Sequence, residues 1–307
     1  MVRDGRIFPR WVFILAPFAL AIPSLGLTAE ERLLVFGRVG NNPVRAIRQR
    51  QEFVDYIAKK LAPLGITAGR VLVVERISSF AQAIKEGGVD FFHDSVVPSM
   101  VLSRWSGSIP LLRQWKYGEA DYHSAIVVKK DSGINSLADL KGKVIAFDEP
   151  HSTSAHILPR MLLVENNLKL VPFAPPRKIK PSEVGFVHGS DGNAPHILIT
   201  GRTDAAATSY RELKELRPEI QEGLKVIGKT KSVPRLVISV RKDLDPKIAK
   251  ALKEVLLNMD KDPEGKAALE AQQKTNKIDE IPPGSVELLR EIERFVFSQL
   301  GKEVETW

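Results

Sequence analysis

The order of apolar segments predicts an α/β fold built from two successive units. Short runs rich in β-branched residues alternate with stretches of helical periodicity, and the alternation restarts near mid-chain. A length of 307 residues, 43% hydrophobic and 27% charged, leaves room for one large core or two medium ones.

The first residues stand apart from both units. Arg3, Arg6 and Arg10 make a basic start, Trp11 to Leu27 carries no charge, and Thr28-Ala29 meets the acidic pair Glu30-Glu31. This is the pattern of a secretory signal, with cleavage expected after Ala29. The competing reading is an uncleaved membrane anchor, because the apolar run approaches the ~20 residues of a spanning helix. No later segment is long and apolar enough to span a bilayer.

In the first unit, Leu33 to Phe36 predicts a strand. Pro43 to Leu61 predicts a helix, with Val44, Ile47, Phe53, Val54, Ile57, Ala58 and Leu61 at helical spacing. A strand at Val71 to Val74, a helix at Phe80 to Lys85, a strand at Val89 to Phe92 and a helix from about Val97 to Trp105 complete it. That order predicts a parallel sheet with helices on its faces.

The second unit begins with Ala125 to Val128, followed by a strand at Lys143 to Phe147 and a helix at Ser154 to Val164. Further strands are expected at Val184 to Val187, Asp204 to Thr208 and Leu224 to Ile227, with Pro172, Pro175, Pro176 and Pro181 marking a loop. Leu236 to Val240 is another strand, and helices are expected at Pro246 to Met259 and Val286 to Leu300. Such a chain permits tandem domains, or an interleaved pair that crosses near Val128 and returns near Arg235, making a two-strand hinge.

Composition narrows the function. With no cysteine, disulfides, thiolate metal sites, a thiol nucleophile and a lipidated anchor are excluded. Two of the eight net positive charges fall in the leader, and the rest are scattered among acids, as in the stretch from Arg211 to Gly223. The densest basic run, Arg177-Lys178-Ile179-Lys180, lies between prolines with no interleaved aromatics, so no nucleic-acid partner is expected.

The most informative segment is Asp148 to Leu158, DEPHSTSAHIL. A strand runs into three consecutive hydroxyl residues, Ser152, Thr153 and Ser154, and a helical pattern follows. Unpaired amides and the positive dipole end at a helix start, joined by hydroxyl donors, can cradle an oxyanion without lysine or metal. Plain N-capping is the competing account, for which one Ser or Thr suffices. No metal site or cofactor is expected: the histidines show no ligand spacing, and no H-E-x-x-H occurs. Nor is there a G-x-S-x-G elbow, so no enzyme activity is expected.

The stretch Asp131 to Leu163, DSGINSLADLKGKVIAFDEPHSTSAHILPRMLL, resembles the phosphonate/phosphite-binding proteins of ABC transporters. The likeness extends more weakly from about Leu33 to Leu269, through Tyr122 in YHSAIVV, His188 in GFVHGS and Asp204 in TGRTDAAATS. It implies a type II periplasmic-binding-protein-like fold, two α/β lobes joined by a two-strand hinge. Lobe 1 would hold 30–127 and 236–307, and lobe 2 would hold 128–235 with the oxyanion turn. By the same resemblance, Ser152, Thr153 and Ser154 hold phosphorus oxygens, Tyr122 crosses between the lobes, and His188 and Asp204 come from the second lobe. Read on its residues alone, Asp204 is equally an exposed acid starting a strand, and Tyr122 a sheet residue with a satisfied hydroxyl.

Two stretches depart from the family pattern. GRVGNNPVRA puts Asn41 and Asn42 where a first-loop aromatic is usual, and DFFHDSVVPS puts His93 and Asp94 near a second expected aromatic. An apolar ligand wall has become polar, with His93 and Asp94 as candidate ligand contacts or His93 as a structural histidine. The expected function is a periplasmic receptor, a monomer, that passes a small oxyanion to an ABC permease in the inner membrane. The alternative is a sensory or transport protein for a sulfonate or carboxylate, serving a membrane kinase or a different permease.

Overall fold

The computed structural model describes residues 32–272 and 274–307, so the expected signal segment lies outside the described residues. The chain opens with β1 (Arg32–Val39), α1 (Pro43–Arg48), α2 (Gln51–Lys60) and β2 (Ile66–Val74). Next come α3 (Ile77–Lys85), β3 (Phe91–Asp94), α4 (Val96–Ser106) and β4 (Ile109–Gln114). After the short β5 (Asp121–Tyr122) follow β6 (Ser124–Lys129), β7 (Val144–Phe147) and α5 (Leu158–Glu165), the last entered through a π-helical turn, Thr153–Ile157. Then come β8 (Lys169–Pro172), β9 (Glu183–His188), α6 (Ala194–Ile199), β10 (Ala205–Ser209), α7 (Tyr210–Glu215), α8 (Pro218–Glu222) and β11 (Leu224–Lys229). The chain ends with β12 (Val233–Pro234), β13 (Leu236–Val240), α9 (Pro246–Asn258), α10 (Pro263–Ala271), β14 (Ile278–Asp279) and α11 (Pro283–Phe295).

These strands form two six-stranded sheets, β14-β4-β13-β3-β1-β2 and β11-β6-β10-β7-β9-β8, plus the pair β12-β5. In the first sheet β2, β1 and β3 are parallel, as expected of βαβ units. β13 enters antiparallel between β3 and β4 because the chain reaches it only after building the second sheet. The second sheet has the parallel set β10-β7-β9-β8 with β6 antiparallel at the side of β10. β6 belongs wholly to that sheet, so the chain leaves the first lobe before Ser124 and not near Val128.

Besides the two-residue strands β5, β12 and β14, two longer strands were not legible in the sequence. β4 has the composition IPLLRQ, without alternation, and β8 ends in Pro172 inside the proline-marked loop. β8 lies at the sheet edge, where a missing N–H is tolerated. The expected helix from Pro43 to Leu61 is broken at Arg50, whose φ of −127° is not helical. Its first apolar residues are therefore not core: Val44 is 79% exposed. The core of the first lobe packs both faces of its sheet. Phe36, Phe53 and Phe91 meet edge-on or tilted on one face, and Phe80 and Phe92 on the other. Among the described residues, no helix is long and apolar enough to cross a membrane.

Candidate functional site

In parallel α/β sheets the loops beyond the carboxyl ends of the strands carry ligand chemistry. Here two such loops face each other. β3 ends in Asp94-Ser95 and launches α4, while β7 ends in the loop that launches the Thr153–Ile157 turn and α5. Thr153 joins them. Its buried Oγ1 accepts from the Val97 amide at 2.9 Å and donates to Ser95 Oγ at 3.1 Å. One side chain therefore bridges the amino-terminal ends of two helices from two lobes.

The three consecutive hydroxyls divide their work. Ser152 is the N-cap, with Oγ accepting from the Ala155 amide at 3.2 Å. Thr153 faces the opposite lobe. The Thr153 and Ser154 hydroxyls lie in reach of the Tyr122 hydroxyl, whose pKa is raised by burial. Tyr122 sits in β5, paired with Val233 of β12, and the Arg235 guanidinium stacks over its ring at 4.3 Å. The hinge pair thus carries the tyrosine to the turn.

Beneath the turn lies a buried polar layer. Asp148, 1% exposed, accepts from the Gly192 and Ala194 amides at 2.9 Å each, and burial pushes its pKa up to about 6. His156 is fully buried and donates Nδ1–H to the Pro150 carbonyl at 2.7 Å. Its Nε2 is then the acceptor for Arg160 Nη1 at 3.4 Å. Burial pushes the His156 pKa down to about 3, with His188 and Arg160 adding to the effect. His188, exposed at the carboxyl end of β9, packs edge-on against His156 at 4.7 Å. It stands beside the turn, in a His–His–Arg group with Arg160.

Two sequence-derived candidates are placed elsewhere. Asp204 precedes β10, which runs parallel to β7, so it lies at the amino ends of these strands. Its carboxylate accepts from the Val144 amide at 2.9 Å, three strand steps from Phe147, roughly 10 Å from the carboxyl edge. Asp204 is a strand tie and not a cleft acid. His93 is 2% exposed and its ring packs against Phe36 at 5.1 Å, because strand alternation points it with Phe91 into the core. Gln114 Nε2 donates to Gln272 and Thr275, so its Oε1 accepts from His93 Nδ1 at 2.6 Å. Burial holds the imidazole neutral. Asp94, by contrast, stays at the cleft edge and accepts from the Ser95 amide at 2.7 Å. Asn42, expected near a ligand wall, caps α1 by accepting from the Arg45 amide at 3.0 Å.

The second-lobe acid near the site is one the sequence reading did not select. Glu212 accepts from Thr208 Oγ1 and the Ser209 amide at 3.1 Å each, and its charge raises the pKa of both Tyr122 and Asp148. The available signal was the capping box Ser209-Tyr-Arg-Glu212 directly after a strand.

Two α/β lobes, a two-strand hinge and a hydroxyl-lined helix-start turn between facing strand ends define a type II periplasmic binding protein. A family model described as "ABC transporter, phosphonate, periplasmic substrate-binding protein" matches residues 40–281, and the chain belongs to that family. The phosphonates-binding periplasmic protein of Escherichia coli K12 is 27% identical over 252 residues, covering 78% of this chain and 70% of that protein. XAC2383 from Xanthomonas citri, in a structure bound to ATP, superposes with a TM-score of 0.79 at 25% identity over 89% of this chain and 98% of its own. PhnD1 from Prochlorococcus marinus, in complex with methylphosphonate, shares the fold with a TM-score of 0.62 at 18% identity, covering 86% and 98% of the chains.

Proposed function

We propose that this chain is a monomeric periplasmic receptor that captures a phosphoryl oxyanion (phosphonate, phosphite or phosphate) and presents it to an inner-membrane ABC permease. The observation that carries this reading is Thr153, a buried hydroxyl set between two helix amino termini. Those ends offer amides and positive dipole ends to an anion, and the neutral hydroxyls of Ser154 and Tyr122 stand beside them. The names of the Escherichia coli relative and the ATP-bound Xanthomonas citri structure point to phosphoryl oxygens as the shared chemistry. Ser95 and Thr153 already meet across the lobes at 3.1 Å, so opening about β5 and β12 would part them to admit the ligand.

Calorimetry against methylphosphonate, aminoethylphosphonate, phosphite and phosphate tests the ligand class, and no heat with any of them would refute it. Thr153→Ala is expected to weaken binding about ten- to a hundredfold, the worth of one hydrogen bond to a charged ligand. Ser152→Ala should instead lower unfolding free energy by about 1 kcal/mol, as loss of a cap does. An affinity unchanged in Thr153→Ala would reduce that residue to a lobe-to-lobe tie.

Release of the exported chain as a free periplasmic protein requires the leader to be removed. Intact-mass measurement on protein from the native host should show a chain beginning at or near Glu30. A full-length mass retained with membranes would favour the anchored form.

A further inference from the structure

Beside the anion turn, the carboxyl edge of the first sheet gathers positive charge. Arg38 is the penultimate residue of β1, Lys116 lies just beyond β4, and Arg235 immediately precedes β13. Because β13 runs antiparallel to β3 and β4, its start falls at the same edge as their ends. Arg50 reaches this edge from the break between α1 and α2, and it is 1% exposed. Among the described residues only its Nη1 is used, donating to the Ala46 carbonyl at 3.2 Å and Gln49 Oε1 at 3.4 Å. Its Nε and Nη2 have no hydrogen-bond partner among the described residues, and neither does Arg235 Nε.

The counter-charges are fewer. Asp94 faces Arg50 and Lys116, and Glu119 Oε2 stands 4.0 Å from Arg235 Nε, beyond hydrogen-bond reach. Four cations against two carboxylates leave a surplus of two positive charges. Burial and the neighbouring Arg235, Arg38 and Arg50 push the Lys116 pKa down to about 8, the direction expected where cations crowd without enough anions. A buried guanidinium with idle N–H groups is a poor structural element, since unpaired buried donors are unfavourable. It is a ready fork for a multiply charged oxyanion.

We propose that Arg50, with Arg38, Lys116 and Arg235, forms a second anion subsite, so that the ligand carries two phosphoryl groups, one on the Thr153 turn and one on this cluster. The inference rests on the phosphoryl reading above and deepens it. Tyr122 makes the two subsites continuous, with its hydroxyl at Thr153 and its ring under Arg235. A phosphoryl group brings close to two negative charges near neutral pH and balances the surplus, whereas a carboxylate brings only one. The neutral donors of the Thr153 turn cannot supply that balance.

The test compares methylphosphonate with methylenediphosphonate by calorimetry on the mature protein. Methylenediphosphonate is expected to bind at least about tenfold tighter, one ion-pair-assisted hydrogen bond or more in strength. The affinity ratio should fall by about tenfold in Lys116→Met and in Arg38→Gln, both half-buried positions, as well as in Arg50→Met if that variant folds. A ratio near one in the wild type, or an unchanged ratio in the variants, overturns the second subsite and leaves the single-oxyanion reading standing. Binding of neither probe overturns both.

Discussion

Replacing His156 with Phe is expected to change the protein's response to acid by about 3 kcal/mol between pH 7 and pH 4. His156 is fully buried, with a folded-state pKa of about 3 set by burial and, secondarily, by His188 and Arg160. The unfolded chain titrates near the ordinary value of about 6.5. A group with a depressed folded pKa contributes stability above its unfolded pKa, and that contribution is lost as pH falls. Between about pH 6.5 and pH 4 the loss is roughly 3 kcal/mol. The wild-type pH profile alone does not reveal it. Asp148 has a raised pKa of about 6, so it takes up a proton more readily when folded and adds stability over nearly the same window. That gain is about 2 kcal/mol between pH 7 and pH 4, so it offsets much of the loss, and buried His93 adds to the loss in the same sense as His156. The variant comparison isolates the histidine. Urea unfolding of both proteins at pH 7 and pH 4 should show the gap moving by about 3 kcal/mol in favour of His156→Phe. A gap that stays constant within about 0.5 kcal/mol would show that His156 is not held neutral.

What the sequence made legible was local. The Ser-Thr-Ser run and the helix after it sit within a few residues, so capping and dipole chemistry could be read directly. Their partners could not. Val97 and Ser95 lie 56 and 58 residues from Thr153, and only the strand order brings those two loops to facing edges. Asp204 misled for a related reason. A carboxylate beside a β-rich run can start or end a strand, and parallel pairing with β7 decides that it starts one. His93 was ambiguous because a single residue of register separates the core face from the cleft face, and its strand points it at Phe36. Arg50 was hidden inside a convincing helical period, where nothing local shows the break that buries it.

The hinge has its own buried anchor, and removing it should be costly. Arg113 in β4 pairs with Asp279 through two bonds, Nε to Oδ1 at 2.9 Å and Nη2 to Oδ2 at 2.7 Å, and its Nη1 reaches Asp121 at 2.8 Å. It thereby reinforces the β4–β14 pairing and ties the hinge strand β5 to the first sheet. The arginine side chain is 10% exposed and Asp279 24%, so this is a largely desolvated pair in fork geometry. Asp121 is 38% exposed, and water screens most of its share. Truncating one partner of a buried pair costs about 3–5 kcal/mol, because the remaining charge is stranded. Arg113→Met should sit near 3 kcal/mol, the lower end, since Asp279 regains some water. Adding Asp279→Leu should recover much of that loss, because no stranded carboxylate remains. Chemical denaturation of the two single variants and the double variant measures the coupling directly. A single-variant loss below about 1 kcal/mol would make the pair an ordinary surface bridge. Ligand affinity provides the functional readout. Asp121 adjoins Tyr122, so releasing β5 should weaken oxyanion binding in the double variant even where stability has returned. Stability restored with affinity fully restored would show that the hinge strand holds Tyr122 in place without Arg113.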